Sequence, residues 1–238
     1  MKPYVLGAVF ARGGSKGIPR KNLQLLAGRP LIAHAIVAAR AAQSIQRLVV
    51  STDDAEIAYI ARRYGAEVPF MRPAELAQDD SPEWSAWQHV IRTLEAMEAG
   101  LKIDVLVSVP STSPRRVPAD IDACVETLLQ GDADVVITVA PTTRSPYFNM
   151  VTLEGGYARP VMASAAVLHR RQEAPPIFDM TTVAYAAHAR FVLAAPGLFA
   201  GKVAAVIIPR ERAIDIDTKF DLEMARLLAA RETSWGQE

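Results

Sequence analysis

Residues 11–22 read A-R-G-G-S-K-G-I-P-R-K-N and follow directly on the apolar run Y-V-L-G-A-V-F of residues 4–10. That run has the length and composition of a buried first strand. Gly13, Gly14 and Gly17 place three glycines within five residues, so the backbone can turn sharply and bring its N–H groups against an anion. Arg12, Lys16, Arg20 and Lys21 add four cationic groups to the same twelve residues, which contain no carboxylate. Such a loop suits a polyphosphate. Two common phosphate loops are excluded. A Walker A loop needs Gly-Lys followed by Ser or Thr, which does not occur here, and Gly13, Gly14 and Gly17 do not have the G-x-G-x-x-G spacing of a dinucleotide site. A solvated, basic, glycine-rich turn is the plain alternative.

Outward from this loop, strand and helix patterns alternate. Residues 30–42 have alanine-rich helical composition behind a proline start, with Leu31, Ala35 and Ala38 or Ala39 on the apolar face. Residues 47–52 form a second strand ending in Asp53 and Asp54, either of which can cap the helix carrying Ile57, Ile60, Ala61 and Tyr64. Residues 66–70 offer a short strand. Residues 83–97 form a helix on which Trp84, Trp87, Val90, Ile91 and Leu94 share a core face. Strands over 104–109 and 134–139 flank a helix over 117–129, and a last strand (203–208) and helix (218–230) close the chain. This alternation predicts an α/β fold, a three-layer and mainly parallel sheet with helices on both faces and right-handed crossovers. The 238 residues form a single domain, 1–238, in which the alternation breaks over residues 142–180. There, the Glu154-Gly155-Gly156 turn predicts a hairpin leaving the main sheet, and regular alternation resumes at Val183.

Half of the residues are hydrophobic and 22% are charged, as expected of a soluble globular protein with a sizeable core. Net charge is zero, which gives no electrostatic reason to expect nucleic acid or an anionic membrane as partner. The distribution is uneven, because no Asp or Glu precedes Asp53. The single Cys124 lies among Ile121, Val125 and Leu128 at helical spacing and reads as a small core residue, with no disulfide available within the chain. Residues 1–11 are too short and lack the cleavage pattern of a signal peptide, and no run reaches membrane-spanning length. A soluble cytoplasmic protein is expected.

A second site signal is I-D-I-D at residues 214–217, just beyond the strand over 203–208. In extended backbone Asp215 and Asp217 point to one face and Ile214 and Ile216 to the other. Two convergent carboxylates suit magnesium, which completes its shell with water and phosphate oxygens. Alternatively they are solvated acids at the start of the last helix. His34, His89, His169 and His188 are scattered, and none stands out as a catalytic base.

The eleven-residue run R-G-G-S-K-G-I-P-R-K-N resembles the signature loop of the acylneuraminate cytidylyltransferases, within the nucleotide-sugar pyrophosphorylase superfamily; these enzymes make CMP-sialic acid and related CMP-activated nine-carbon sugar acids. R-P-A-E-L-A-Q-D at 72–79, S-P-Y-F-N-M-V at 145–151 and I-D-I-D are also similar, so the resemblance spans nearly the whole chain. It implies transfer of CMP from CTP to the anomeric hydroxyl of an acidic, sialic-acid-like nonulosonate, with release of pyrophosphate. Arg12, Gly13, Gly14, Ser15, Lys16, Lys21 and Asn22 would bind the nucleotide. Among them Arg12 and Lys21 would serve the triphosphate and leaving pyrophosphate, and Asn22 would face the base or ribose. Asp217 would be a magnesium ligand assisted by Asp215, and Arg12, Lys21 and Asp217 the catalytic set. The excursion at 142–180 would build a homodimer contact and reach the partner's sugar site. Arg171, in R-R-Q-E-A-P-P-I-F, matches the arginine that holds the sugar carboxylate.

Two departures fall near the sugar. Pro110 stands where the family's Q-P-T-S-P-L-R has its glutamine, and Thr181-Thr182 replace an Asn-Gly pair, which makes both threonines candidate sugar-binding residues. An acidic acceptor with altered ring substituents is expected; a shorter ulosonate, a phosphonate, or CTP binding without turnover are the alternatives.

Overall fold

The computed structural model describes residues 2–162 and 175–231. In chain order these form β1 (Val5–Phe10), a small ribbon of β2 (Leu25–Leu26) and β3 (Arg29–Pro30), α1 (Leu31–Ala41), β4 (Arg47–Ser51), α2 (Ala55–Arg63), α3 (Glu83–Met97), β5 (Val105–Ser108) and α4 (Pro118–Gln130). There follow β6 (Val135–Pro141), a hairpin of β7 (Val151–Glu154) and β8 (Tyr157–Pro160), then β9 (Phe178–His188), α5 (Ala189–Ala194), β10 (Val203–Ile207) and α6 (Lys219–Arg231).

Six strands form one sheet in the order β10-β6-β9-β5-β1-β4. β4 and β5 lie parallel to β1 on its two sides, and β10 lies parallel to β6. Five strands therefore point one way, as the βα alternation requires. β9 does not: it runs antiparallel between β5 and β6 and begins at Phe178, five residues before the alternation was expected to resume. The excursion expected over residues 142–180 thus overlaps the strand at Phe178 to Met180. The expected strand at 66–70 is reduced to one bridge between Val49 and Glu67. The hairpin forms as expected around Gly155 and Gly156, whose φ values of 58° and 86° suit a two-residue turn with both central residues left-handed.

Alternation along the strands separates the two faces. Val5 and Val9 of β1, Val50 of β4, Val105 and Val107 of β5 and Ala184 and Ala186 of β9 meet α1, α2 and α4, where Cys124 is fully buried. Burial pushes the Cys124 thiol up to about 12, so it stays protonated and packs as a small apolar group. Leu6, Ala8, Val49, Leu106, Tyr185 and Ala187 face α3 and α5, and Trp87 is buried there among Val90, Ile91 and Leu94. The tryptophan-bearing helix face is thus core, as its spacing predicts. A third, smaller core gathers Ile18 from the glycine loop, Leu26, Leu31, Ile216 and, from α6, Leu222 and Ala225. It ties the basic loop to the segment carrying the two aspartates, although about 200 residues separate them. Among the described residues, no helix is long and apolar enough to cross a membrane.

Candidate active site

Because β9 alone is reversed, the ends of β1, β4, β5, β6 and β10 and the start of β9 all open on one edge of the sheet. The chain leaves β1 for β4 on one side and later returns to β5 on the other, so β1 marks a switch in strand order, where open α/β sheets hold their ligands. Residues 11–22, 52–54, 109–116, 178–182 and 208–217 meet there, and these hold almost every described residue singled out from the sequence.

Each of the four loop cations is paired with a carboxylate from elsewhere. Arg12 Nη1 lies 2.7 Å from Asp79 Oδ1 and Lys16 Nζ 2.6 Å from Asp79 Oδ2, so one carboxylate spans both. Lys21 Nζ lies 3.0 Å from Asp217 Oδ1. Arg20 pairs with Asp54 and, at 2.6 Å, with Glu56. Arg20 sits in the left-handed region (φ 55°), which turns its side chain toward α2. Asp54 also caps α2, accepting from the amides of Glu56 (3.0 Å) and Ile57 (2.9 Å). The pairing with Arg20 holds the Asp54 carboxyl below the usual range. Its neighbour Asp53 accepts the Gly13 N–H at 2.9 Å.

Two glycines permit these approaches. A Cβ on Gly17 would stand 2.5 Å from the backbone oxygen of Asp217, and one on Gly13 would stand 2.7 Å from Asp54 Oδ2. Around Gly14 there is open space, and Ser15 is half-buried. Asn22 turns inward rather than toward a base: it is buried, its Nδ2 donates to the Arg12 carbonyl (2.9 Å), and its Oδ1 accepts from Ser111 Oγ (2.5 Å).

The segment 212–217 is fastened at three points. Arg212 donates from Nε and Nη2 to the buried Asp120 of α4, at 3.0 and 2.8 Å. The Ile216 amide donates to the Thr112 carbonyl at 2.9 Å, while its side chain is buried in the third core. Beyond it, Asp221 accepts from the Thr218 amide and hydroxyl at 2.7 Å and starts α6. Ile216 is buried between the two aspartates, while Ile214 is half-buried. Asp215 Oδ1 is buried and has no hydrogen-bond partner, whereas Asp217 is exposed and faces Lys21.

At the start of β9, Thr181 and Thr182 part company. Thr181 is buried and donates to Thr138 Oγ1 at 2.7 Å within the sheet. Thr182 Oγ1 accepts from Thr112 Oγ1 (3.0 Å) and shares a hydrogen bond with Ser113 Oγ (2.7 Å). Between the two threonines and Tyr185 the pairing with β6 breaks: Ile137 faces Tyr185 but Thr138 faces Thr181. A bulge of this kind leaves carbonyls without ladder partners. Arg116, itself buried, supplies the donors: Nε to Val183 O at 2.6 Å, and Nη2 to Thr182 O at 2.9 Å and to Pro110 O. Burial pulls this guanidinium down to about 9, which still leaves it charged at neutral pH beside Asp120 and Asp215. Arg171 lies outside the described residues.

The tripeptide Ser111-Thr112-Ser113 thus touches all three parts of the site: Asn22 of the loop, Ile216 of the aspartate segment and Thr182 of β9. Asp79, Ser111 and Arg116 are not singled out by the sequence, and Asp53 is offered there only as a helix cap. A signal exists for the first three, since Asp79 ends the R-P-A-E-L-A-Q-D stretch and Ser111 and Arg116 lie in P-S-T-S-P-R-R. No described histidine joins the cluster. His34 Nε2 bonds the Leu26 carbonyl at 2.9 Å, His89 pairs with Thr93 at 3.3 Å, and His188 lies opposite Val105, at the far end of β5.

Comparison with known proteins bears on this arrangement. A family profile described as cytidylyltransferase matches residues 6–221. The chain is 32% identical over 225 residues to post-translational flagellin modification protein B of Campylobacter coli, covering 94% of each chain. It is 30% identical over 225 residues to the CMP-N,N'-diacetyllegionaminic acid synthase of Campylobacter jejuni, again covering 94% of each. Among solved structures, CMP:2-keto-3-deoxy-manno-octonic acid synthetase complexed with CTP superposes with a TM-score of 0.72 at 16% identity, covering 96% of this chain and 99% of that one.

Proposed function

Since the chain belongs to the cytidylyltransferase family, we infer that it transfers CMP from CTP to the anomeric hydroxyl of an acidic nonulosonate. The acceptor class rests on relatives named CMP-N,N'-diacetyllegionaminic acid synthase and pseudaminic acid cytidylyltransferase. The observation that carries the reading is the junction of the basic glycine loop with the aspartate segment, through Lys21 and Asp217 at 3.0 Å and the close approach that Gly17 allows.

In the reaction, an oxygen of the acceptor attacks the α-phosphorus of CTP. A new P–O bond forms as the acceptor's O–H bond gives its proton to solvent, the bond to the α,β-bridging oxygen breaks, and pyrophosphate departs with that electron pair. The chain's task is positioning and charge stabilisation. Arg12, Lys16 and Lys21 present cationic groups to the triphosphate, with the amides of Gly14 and Ser15 beside them, while the Gly13 amide is held by Asp53 and shapes the turn. Asn22 acts through the loop, holding the Arg12 carbonyl and Ser111 so that Arg12 keeps its place. Thr182 faces the acceptor with Thr112 and Ser113, Thr181 supports the strand beneath it, and Arg171 receives the acceptor carboxylate through its guanidinium fork.

Asp215 and Asp217 would hold magnesium. Among the described residues no three His, Cys, Asp or Glu side chains gather as an all-protein cage. The donor set nevertheless fits an ion that takes one or two carboxylates, because both residues offer hard oxygens and Asp215 Oδ1 is a buried acceptor with no partner. When bound, magnesium supplies positive charge that draws negative charge from the phosphoryl oxygens.

The protein works as a homodimer in this reading. β7 and β8 form a hairpin outside the main sheet on which Leu153 and Tyr157 are 76% and 77% exposed. A two-stranded hairpin is marginal by itself and gains from a partner surface.

The test is pyrophosphate release by purified protein with magnesium, each of the four ribonucleoside triphosphates and the three nonulosonates N-acetylneuraminate, N,N'-diacetyllegionaminate and pseudaminate, beside a shorter ulosonate. The expected result is release only with CTP and at least one of the three nonulosonates. Release with a shorter ulosonate but with none of the three would overturn the acceptor class. CTP binding without turnover on any acid would overturn the assignment as an enzyme.

A further inference from the structure

One carboxylate stands where the loop's phosphates are expected. Asp79 places Oδ1 2.7 Å from Arg12 and Oδ2 2.6 Å from Lys16, so both of its oxygens are committed to the loop, and it has no other partner among the described residues. It lies on a strap, residues 71–82, anchored at both ends. At one end the buried Arg72 donates from Nε to Ser51 Oγ at 3.0 Å and from Nη2 to the Ser51 carbonyl. At the other end the strap runs into α3, whose first residue Glu83 accepts from Trp87 Nε1 at 2.9 Å and from Ser108 Oγ at 3.1 Å.

Of the other carboxylates paired with the loop, Asp54 also caps α2, Asp217 is read as a metal ligand, and Glu56 meets only Arg20, which is not among the cations assigned to the triphosphate. Asp79 alone joins two of those cations. Its pairs are also weakly held: the side chains of Lys16, Asp79 and Arg12 are 80%, 44% and 34% exposed, and solvent-exposed ion pairs contribute little to stability. A ligand with several phosphate charges can therefore displace it at small cost. Without it Arg12 and Lys16 would lie side by side with no counter-charge.

We propose that Asp79 is an exchangeable counter-ion of the phosphate loop. It holds Arg12 and Lys16 together in the free enzyme, yields them to the triphosphate of CTP, and returns as pyrophosphate leaves. This rests on the reading of residues 11–22 as the triphosphate site. No bond is made or broken in the exchange; one anion replaces another.

The experiment measures equilibrium binding of CTP, pyrophosphate and cytidine, with magnesium at fixed ionic strength, to the intact wild-type protein, to Asp79→Asn and to Asp80→Asn. Asp80 is the exposed neighbour, which makes no contact with the loop cations, so its variant reports the effect of net charge alone. Removing a competing unit charge at contact distance in water is expected to tighten CTP and pyrophosphate by about fivefold. Cytidine, which carries no phosphate, should be unchanged, and Asp80→Asn should stay within about twofold of wild type by the same screening argument. The proposal is overturned if Asp79→Asn binds CTP equally or more weakly, or if Asp80→Asn tightens it as much. Binding of CTP by none of the three proteins would overturn the reading of the loop as well. Loss of CTP binding by Asp79→Asn alone, with its fold intact by circular dichroism, would make Asp79 a ligand contact instead.

Discussion

At the scale of single residues, the site depends on groups that leave no room for substitution and on groups that hold others. Gly17 belongs to the first kind, because an added Cβ would press on the Asp217 backbone oxygen and a backbone atom cannot rotate away. Gly17→Ala is expected to push the loop and the aspartate segment apart and to lower kcat/KM for CTP by about a hundredfold, the size expected for an ångström-scale misplacement. Steady-state kinetics with a thermal melt as control checks it; unchanged kinetics would separate Asp217 from the loop's work. Ser111 belongs to the second kind. Ser111→Ala leaves Asn22 Oδ1 without its donor inside the protein, a loss worth about 1–3 kcal/mol where a buried group goes unsatisfied. The KM for CTP should rise while the KM for the acceptor holds, since Thr112 and Ser113 keep their bonds to Thr182. The glycines and cations of the loop were legible because they are adjacent in sequence. Asp79 was not legible as their partner, because a contact between residues 12 and 79 has no local signature, and the direction in which Asn22 turns is set by Ser111, 89 residues away.

At the scale of elements, capping and small cores hold the catalytic edge. The sequence offers Asp53 or Asp54 as the cap of α2, and the structure shows it to be Asp54, paired with Arg20. Its carboxyl is lowered in the folded protein from an ordinary value of 3.8. Its contribution to stability is therefore complete above that unfolded value and lost as pH falls through the lower folded one. Asp54→Asn should flatten the acid limb of a stability curve below about pH 4, and Asp54→Ala should cost about 1 kcal/mol at neutral pH through the lost cap. Denaturant titrations at several pH values read both effects; an unaltered acid limb would remove Asp54 from the account. Helices and parallel strands could be read from periodicity, since each element carries its own pattern of buried positions. The reversal of β9 could not, because V-A-Y-A-A reads the same in either direction along a buried strand, and only pairing to β5 and β6 decides it. The bulge that lets Thr138 face Thr181, and the role of Arg116 in filling it, likewise arise from three segments meeting.

At the scale of the whole molecule, zero net charge conceals a local arrangement in which loop cations and distant carboxylates neutralise one another until an anion arrives. The hairpin is the one large feature that the single chain does not explain by itself. Replacing Leu153 and Tyr157 together by aspartate is expected to convert a dimer into a monomer in sedimentation velocity; a wild-type monomer would contradict the homodimer. The most direct measurement of the central claim follows the phosphorus atoms. Incubated with magnesium and N,N'-diacetyllegionaminate, CTP labelled at the α-phosphate should deliver its label to the sugar product, and CTP labelled at the γ-phosphate should deliver its label to pyrophosphate. Transfer of the γ label to the acid, or both labels remaining in CTP with every nonulosonate supplied, would contradict it.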